Sequence, residues 1–482
     1  MTEKTYTTGY ENMGFRCGLE IHQQLEGKKL FCECPTINSD KEPNVKFERR
    51  LRAVAGETGE VDIAAAHEMK KSKKFLYEAD SKDTCLVEYD EEPPHQLNRE
   101  ALETTIKAAL LLNAKIVDEL QIMRKTVVDG SNVSGFQRTS LVAMDGFVET
   151  SKGKVNIPTI CLEEEAAQKI DAGKDYVKYR LDRLGIPLIE IATDSSIKDP
   201  EHAKETASII GMVLRSLEGV KRGLGTIRQD VNVSIAKGAR TEIKGFQDLR
   251  SIPKVINYEI ERQSSEIKKG KKLEKEVRKA EPNLTTSFLR PLPGAARLYP
   301  ETDVAPIRME KQYIEQLRKK LPKLLSHKEE ELEKKHGIKK ELAKELVDNE
   351  LFESLIKKFG NLESSFVAHV LVNIPKEIKS RLNLDSSKLK DEHFEEILNY
   401  LDKGKITKEA VIGLLAKKIN NEKIDFDKFS SVSGKELEKE VQKLIGERKG
   451  LSIGAYMGLL MAKYRGKVDG SKIMELLKKY VK

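Results

Sequence analysis

Hydrophobic and polar residues alternate in two different ways along the chain, and the change between them divides it. Up to about residue 305, several segments alternate residue by residue, as in Ile227–Ile235 and Thr241–Phe246, which predicts strands between helical stretches. In the remaining residues the apolar positions recur at helical spacing, as in Phe394–Leu401. We therefore predict a large α+β domain over residues 1–305 and an all-helical region over residues 306–482.

The helical region is expected to divide again at a polar connector. Residues 382–391 are rich in the Asn, Asp and Ser residues that cap helices, so a new helix should begin after them. We predict a helical domain over residues 306–391 and a separate terminal bundle over residues 392–482. A highly charged stretch at residues 263–282 is predicted to be a solvated helix or hairpin tip on the first domain.

Carboxylates occur on several of the predicted strands. Glu20 and His22 share one face of a strand, and Glu190 lies between two isoleucines. Asp230 and Glu242 would meet on the polar face of a hairpin. A solvated sheet face explains any one of these strands alone. Asp and Glu are nevertheless depleted in strands and repel one another there, so the group as a whole indicates a bound cation.

Further groups near these strands suit phosphate chemistry. The acidic run at residues 161–165 adds oxygen ligands of the kind that Mg²⁺ prefers, and Mg²⁺ usually binds together with substrate phosphates. Cations occur at residues 123–125 and at Arg228, which the Gly223–Gly225 turn precedes. A Gly/Ser/Asn-rich loop occupies residues 129–138, although such a loop is more often an ordinary turn. None of these segments matches a P-loop or a dinucleotide-binding motif.

The net charge of +8 arises from 86 Lys and Arg residues against 78 Asp and Glu residues, and it is unevenly distributed. Residues 441–482 hold ten basic and three acidic residues, so this end of the chain carries +7. Tyrosines are interleaved with the basic residues, a combination that suits phosphate backbones and unstacked bases. A solubilising surface is an equally good interpretation of this feature alone.

Composition excludes several classes of protein and leaves one cysteine motif open. No apolar stretch approaches the 18 residues of a membrane span, and the first six residues do not resemble a secretory signal. The five cysteines suit a reducing cytoplasm. Cys32 and Cys34 could ligate zinc, but the chain has no C-x-x-C pair and only three other cysteines, so a zinc site is the less favoured interpretation. Cys161 as a nucleophile is favoured less still.

Seven separated blocks of the sequence resemble the E subunit of archaeal Glu-tRNA(Gln) amidotransferases, which forms one family with the B subunit of the bacterial-type enzymes. The blocks lie at Gly18–Leu25, Lys29–Cys32, Asp129–Arg138, Ile160–Glu165, Pro187–Ile191, Arg228–Val233 with Thr241–Lys244, and Tyr299–Asp303. The tail, with Gly454–Gly458 and Arg465–Gly470, resembles the tRNA-binding tail domain of that family. The blocks follow in order over nearly the whole chain, which makes the resemblance specific.

The resemblance implies a fold and a set of site residues. The first domain is expected to be a cradle-shaped, glutamine-synthetase-like antiparallel sheet whose concave face binds ATP. The metal ligands, which are also the catalytic group, would be Glu20, His22, Glu164 and Glu190, and a second metal would be held by Asp230 and Glu242. The nucleotide or phosphate contacts would be Lys125, Gln137 and Arg228.

The resemblance also implies a reaction and partners. A glutaminyl-tRNA synthase (glutamine-hydrolysing) of this type uses ATP and Mg²⁺ to phosphorylate the γ-carboxylate of Glu-tRNA(Gln), and ammonia then displaces phosphate. The ammonia would come from an asparaginase-like glutaminase, the D subunit of the archaeal enzyme, in a heterodimer or heterotetramer in the cytoplasm. The alternatives are a bacterial-type B subunit of an Asp/Glu-tRNA amidotransferase and a non-catalytic tRNA-binding scaffold.

One departure from the family pattern concerns an inserted domain. The archaeal E subunit usually carries an insert between the segments that correspond to residues 241–244 and 290–294. Here only the roughly 20 charged residues at 263–282 occupy that place. The insert's contacts with tRNA are therefore not expected, whereas the acidic strands are intact.

Overall fold

The computed structural model describes residues 9–481 apart from 38–41, 53–54, 56–58, 247, 293–297, 348, 423, 425–433 and 465–469. The first six residues and most of the tail motif at residues 465–470 lie outside the described residues. The chain divides into two compact units, Met1–Leu324 and Leu325–Lys482. The first unit is therefore about 20 residues longer than the predicted α+β domain.

Strands dominate the first unit, as the alternating pattern predicts. Their bounds are β1 Arg16–Gln24, β2 Val45–Arg49, β3 Lys74–Ala79, β4 Lys115–Ile116, β5 Glu119–Leu120, β6 Ile122–Thr126, β7 Phe136–Thr150, β8 Gly153–Glu164, β9 Gln168–Ala172, β10 Tyr176–Arg180, β11 Pro187–Ala192, β12 Ile227–Ser234, β13 Thr241–Phe246, β14 Glu276–Ala280, β15 Thr286–Pro291, β16 Leu298–Pro300 and β17 Ile307–Arg308. The predicted strands around Glu20, Glu190, Asp230 and Glu242 are all present.

The central sheet is mixed but mostly antiparallel. Its strands follow the order β15-β14-β13-β12-β1-β11-β8-β7-β6-β16, and β4 pairs with β7. Only β13 and β14 run parallel among the described neighbours in this sheet. The predicted hairpin of β12 and β13 is confirmed, with Asn232 opposite Glu242. A smaller sheet has the order β2-β3-β10-β9, and β5 pairs with β17.

One face of the central sheet is apolar and packs against helices. On β1 the alternate residues Cys17, Leu19 and Ile21 are almost fully buried. They join one core with residues of three long helices, α2 Arg99–Leu111, α3 Pro200–Arg215 and α4 Ile252–Lys268, which follow the short α1 Ile63–Met69. Burying each such side chain contributes about 1.5–3 kcal/mol. The other face carries the polar residues of the same strands, and the cavities described below lie there.

Two segments of the first unit differ from their prediction. The charged stretch at 263–282 is only in part the predicted solvated helix or hairpin tip, because it contains the exposed end of α4 and a turn but also β14, which pairs with β13 and β15. Helix α5, Lys311–Lys319, was expected in the helical region. Its residues Tyr313, Ile314 and Leu317 instead pack on the core of the central sheet, which moves the boundary past residue 305.

The second unit is helical. Its helices are α6 Leu325–His336, α7 Lys340–Leu346, α8 Glu350–Lys358, α9 Ser364–Leu382, α10 Asp391–Asp402, α11 Ala410–Ile419, α12 Gly434–Glu447, α13 Ile453–Tyr464 and α14 Gly470–Tyr480. One core joins buried residues from Leu332 to Ile419, and a second core joins residues from Leu437 to Leu477. The predicted boundary at residues 391/392 is therefore wrong, since α10 and α11 pack with the helices before them. Among the described residues, no helix is long and apolar enough to cross a membrane.

Candidate active site

A cavity of about 510 Å³ lies on the polar face of the central sheet. Its polar residues come from seven strands of this sheet, namely β1, β6, β7, β8, β11, β12 and β13. These residues include Glu20, His22, Lys125, Gln137, Glu163, Glu190, Arg228, Asp230, Glu242 and Lys244. Alternation along each strand turns these side chains to the same face while their apolar neighbours turn to the core. The structure thus brings together every predicted site residue except Glu164.

The centre of the cavity is a histidine held between carboxylates. The Nε2 atom of His22 lies 3.4 Å from Glu20 Oε1 and 3.4 Å from Glu190 Oε2. The strand pairing explains this arrangement, because His22 is opposite Glu190 on β11 and Glu20 is opposite Asp230 on β12. Neighbouring strands therefore carry their carboxylates to one place.

The close packing of these groups shifts their protonation. Burial would lower the pKa of His22, but hydrogen bonds with Glu190 and Glu20 raise it to about 10. Burial would raise the pKa of Glu190, but the Lys125 charge and the hydrogen bond with His22 hold that pKa below its usual range. Burial and the neighbouring Glu190 charge raise the pKa of Glu163. Cations and carboxylates therefore lie interleaved in the site, and the pKa of Glu163 is raised where a second carboxylate, that of Glu190, lies close to it.

The predicted phosphate contacts line the same cavity and already have partners. Lys125 Nζ lies 2.5 Å from Glu163 Oε1 and 3.7 Å from Glu190 Oε2. Gln137, opposite Lys125 on β7, donates its amide to Glu163 Oε2 at 3.1 Å. Arg228 forms an ion pair with Glu165. These cations are therefore positioned by fixed carboxylates at the wall of the cavity.

A second acidic group lies on the β12–β13 side of the cavity. Lys244 Nζ is 2.6 Å from Asp230 Oδ2 and 2.6 Å from Glu242 Oε1. Burial opposes the charge of Lys244, but both carboxylates raise its pKa. Asp230 and Glu242, expected to hold a second metal, thus share a lysine ammonium here.

The structure places Glu164 outside the lining of this cavity. On β8, Cys161 is opposite Glu190, so alternation turns Cys161 and Glu163 to the cavity and Glu164 to the other face. Glu164 there accepts from the backbone N–H of Arg138 at 3.0 Å and lies 3.4 Å from Arg138 Nη1. Glu163 therefore occupies the position in the cavity that the resemblance assigned to Glu164.

Several lining residues were not assigned an individual role from the sequence, although the acidic run at residues 161–165 was noted as a whole. They include Glu163, Glu165, Arg183, Leu188, Phe246 and Arg290. The sequence does contain a signal for Glu163, because Glu163 lies two residues after Cys161 on one strand and therefore points to the same face. This signal identifies the face that points into the cavity only when the pairing of Cys161 with Glu190 is known, and these two residues are far apart in sequence.

The donor set fits a hard divalent cation. Two overlapping groups, Glu20 with His22 and Asp230, and His22 with Glu163 and Glu190, each offer ligand atoms within 4.8 Å of one another. Carboxylate oxygens dominate both groups, and such ligands suit Mg²⁺ or Mn²⁺ better than zinc. A cation at either position would also relieve the repulsion between the carboxylates.

The Gly/Ser/Asn-rich loop at residues 129–138 has a structural role beside the cavity. The hydroxyls of Tyr77 and Tyr179 each donate to its backbone at 2.8 Å, to the carbonyls of Gly130 and Asp129. Gly130 has φ +88°, and a Cβ there would come within 2.1 Å of the Phe75 ring, so glycine is required. The loop joins β6 to β7 and thereby supports Lys125 and Gln137. Farther along, the 223–225 turn does not line the cavity.

The cysteines form a second cluster, away from this cavity. Cys32, Cys34, Cys85 and Glu88 offer ligand atoms within 4.8 Å of one another. Three thiols and one carboxylate at this spacing match the ligand number of a tetrahedral zinc site. The third thiol beside Cys32 and Cys34 is thus that of Cys85. Cys161 lies in strand β8, where burial raises the pKa of its thiol and disfavours a nucleophilic role.

Two family models match most of the chain. The model described as the GatB/GatE catalytic domain matches residues 15–315, and the GatB domain matches residues 350–481. The site described above lies entirely within the first match. The lengths of both matches agree with the division into a sheet-based and a helical unit.

Three archaeal relatives are each named as the E subunit of glutamyl-tRNA(Gln) amidotransferase. The chain is 38% identical to the protein of Methanocaldococcus jannaschii, 37% to that of Methanosarcina barkeri and 36% to that of Methanococcus maripaludis strain S2. Each match covers 98% of this chain and 98–99% of the relative. The alignments extend over 623–625 positions, so these relatives hold well over a hundred residues with no counterpart among the 482 here.

Proposed function

Because the chain belongs to the GatB/GatE family, we propose that it amidates the glutamate of misacylated Glu-tRNA(Gln) to give Gln-tRNA(Gln). The three relatives named above carry that activity in their names. The reaction proposed is ATP-dependent and proceeds through a γ-phosphoryl intermediate that ammonia attacks. The first unit would be the cradle-shaped, glutamine-synthetase-like catalytic domain.

One observation carries the proposal. Six acidic or imidazole side chains from five neighbouring strands converge on one cavity that also holds Lys125, Arg228 and Lys244. A tRNA-binding scaffold would have no use for such a cluster, since it raises the energy of the fold through repulsion. Cation-dependent phosphoryl transfer requires both a carboxylate cluster and positive groups that meet phosphate oxygens. The cavity offers both.

The residues of the cavity would divide the chemistry between them. Glu20, His22, Glu163 and Glu190 would hold Mg²⁺, with Asp230 and Glu242 as the second acidic group. Bound Mg²⁺ would neutralise phosphate charge. Lys125 and Arg228 would exchange part of their contact with Glu163 and Glu165 for contact with the phosphates of ATP.

The glutamyl substrate also needs specific help from the protein. Its γ-carboxylate is a poor electrophile because resonance and negative charge repel ammonia, and phosphorylation converts it into a mixed anhydride with a good leaving group. Lys125 and Gln137, which are opposite each other on the paired strands β6 and β7, would orient the transferred phosphoryl group. Enclosure by the sheet would limit hydrolysis of the anhydride.

A partner subunit would supply the ammonia, and the C-terminal helices of this chain would bind the tRNA. An asparaginase-like glutaminase, the D subunit, would supply the ammonia, in a heterodimer or heterotetramer. The basic helices of the C-terminal end would bind the tRNA backbone. Within the helical unit, α12, α13 and α14 share a hydrophobic core of their own, and these three helices would form the tRNA-binding part.

The test is amidation by the purified chain without a partner. Glu-tRNA(Gln), ATP, Mg²⁺ and ammonium chloride should give Gln-tRNA(Gln), and omission of ATP should abolish the product. Ammonium chloride bypasses the glutaminase, so the assay reports on this chain alone. Formation of no Gln-tRNA(Gln) under these conditions would contradict the proposal.

A further inference from the structure

A second cavity, of about 370 Å³, adjoins the catalytic one on the same face of the central sheet. Its floor includes Gly18 on β1 and Asn232 on β12, which are paired with each other. Each lies two residues before or after a member of the acidic cluster, Glu20 or Asp230. At about 3.4 Å per strand residue, Gly18 and Asn232 each lie roughly 7 Å along their strand from that member.

The charges of this cavity differ in kind from those of the catalytic cavity. Three exposed basic residues, Arg16, Arg240 and Lys275, line it, with Asp194 as the only acidic residue among its described lining. Within the described part of the chain, none of the three basic residues forms an ion pair. Asp194 is already engaged, since it accepts from Ser196 N at 3.0 Å and from Asn156 Nδ2 at 2.9 Å.

Arg240 is held in place by a neutral neighbour. Its Nε donates to Asn232 Oδ1 at 2.9 Å, which orients the guanidinium without neutralising it. Among the residues that the structure describes, none bonds to the two terminal nitrogens, which can therefore bind a planar or tetrahedral anion. The cavity therefore presents an oriented guanidinium and two further cations to a ligand from outside the chain.

We propose that this cavity binds the phosphodiester backbone at the single-stranded 3′ end of the aminoacylated tRNA. This inference rests on the proposed function. The reaction needs two polyanions on one sheet face, ATP at the acidic cluster and the RNA end beside it. Five bonds of about 1.5 Å separate the ester oxygen from the carbon of glutamate's γ-carboxylate, a reach of roughly 6 Å. An RNA end whose ester oxygen lies in this cavity would therefore deliver its glutamyl group to the acidic cluster.

The same chemistry could serve another phosphate, that of ATP. The double variant Arg240→Gln/Lys275→Gln separates the two sources in the ammonium chloride assay. We expect the KM for Glu-tRNA(Gln) to rise at least tenfold while the KM for ATP stays within twofold, which also shows that the catalytic cavity is intact. A rise in the KM for ATP without a rise for tRNA would overturn the proposal. Lys272→Gln removes an equally exposed charge that does not line the cavity, and it should behave as the wild type.

Binding measurements locate the contact on the RNA. For intact tRNA the double variant should reduce the slope of log affinity against log salt by about 1.4, the value for two contacts to a single strand. For tRNA trimmed of its single-stranded 3′ end, wild type and variant should bind equally. An equal loss on intact and trimmed tRNA would overturn the inference, because the cations would then contact another part of the RNA.

Two further results complete the test. Arg240→Lys keeps the charge and should restore most of the affinity that Arg240→Gln loses, whereas failure of this rescue would indicate a purely structural role and overturn the proposal. If the wild type amidates Glu-tRNA(Gln) and the double variant matches it in both KM values, only this inference fails. If the wild type does not amidate, the proposed function fails and this inference fails with it.

Discussion

The two cavities on the polar face of the central sheet use positive charge in opposite ways. In the catalytic cavity Lys125, Arg228 and Lys244 each contact a carboxylate of the chain itself. In the adjoining cavity Arg16 and Arg240 have no such partner among the described residues. Paired charges are already positioned and can exchange partners during a reaction, whereas unpaired ones can take up an anion at no cost in broken ion pairs. This difference is the one expected if the first cavity carries out the proposed chemistry and the second binds an anionic part of the substrate.

The largest effect is expected from the carboxylate that holds both His22 and Lys125. Glu190→Gln removes the negative charge that both groups contact. We expect amidation to fall by about 10³-fold, or ~4 kcal/mol of transition-state stabilisation, with tRNA affinity unchanged. Steady-state rates with ammonium chloride and a tRNA-binding titration measure the two quantities. Amidation at the wild-type rate would exclude a metal-binding role for Glu190.

The assignment of Glu163 in place of Glu164 gives a matched pair of variants. Glu163→Gln should lower kcat about 10²-fold, because Glu163 lies in the cavity next to Lys125. Glu164→Gln should keep most of kcat but lower the free energy of unfolding by about 1–3 kcal/mol, since it weakens the buried contact with Arg138. Rates and thermal unfolding of the two proteins are compared directly. The reverse pattern would show that Glu164 is the ligand after all.

A smaller effect on binding is expected from the tail. Truncation after residue 424 removes α12, α13 and α14 but leaves the preceding core complete. The affinity for Glu-tRNA(Gln) should fall about tenfold or more and its salt dependence should weaken. Amidation at saturating tRNA should persist, and this is the control. Unchanged affinity and salt slope would show that the basic tail is only a solubilising surface.

The cysteine cluster should affect stability rather than rate. Bound zinc would be coordinated by Cys32, Cys34, Cys85 and Glu88, so Cys34→Ser should lower the zinc content and reduce the Tm by several degrees. Cys161→Ser is the matched control, because Cys161 is outside the cluster. Elemental analysis and thermal unfolding measure both effects. Equal zinc content in the two variants would rule out this cluster as the metal site.

Alternation along single strands predicted much of the site. Glu20 with His22 and Asp230 with Asn232 share a face because successive residues of a strand point in opposite directions, a local property that can be read directly. The choice between Glu163 and Glu164 required the register of β8 against β11, which a local pattern does not contain. The adjoining basic cavity could not be predicted for the same reason. Its basic residues come from β1, from the β12–β13 turn and from the residue before β14, and only the pairing of these strands brings them together.

In the helical unit, too, a local sequence pattern did not reveal which elements pack together. The polar residues at 382–391 do end one helix and precede another, and Asn383 adopts the left-handed conformation typical of a helix end. Capping residues mark where a helix stops and do not reveal what the next helix packs against. Phe394 and Ile397 join the core of the preceding helices, so the helix break lies inside one bundle.

The most direct test follows an oxygen atom through the reaction. Glu-tRNA(Gln) carrying ¹⁸O in the γ-carboxylate is amidated with ATP and ammonium chloride, and the released phosphate is analysed by mass spectrometry. Phosphorylation of the carboxylate in the catalytic cavity predicts that each phosphate formed carries one ¹⁸O atom from glutamate. Phosphate free of ¹⁸O, formed together with Gln-tRNA(Gln), would contradict the γ-phosphoryl intermediate.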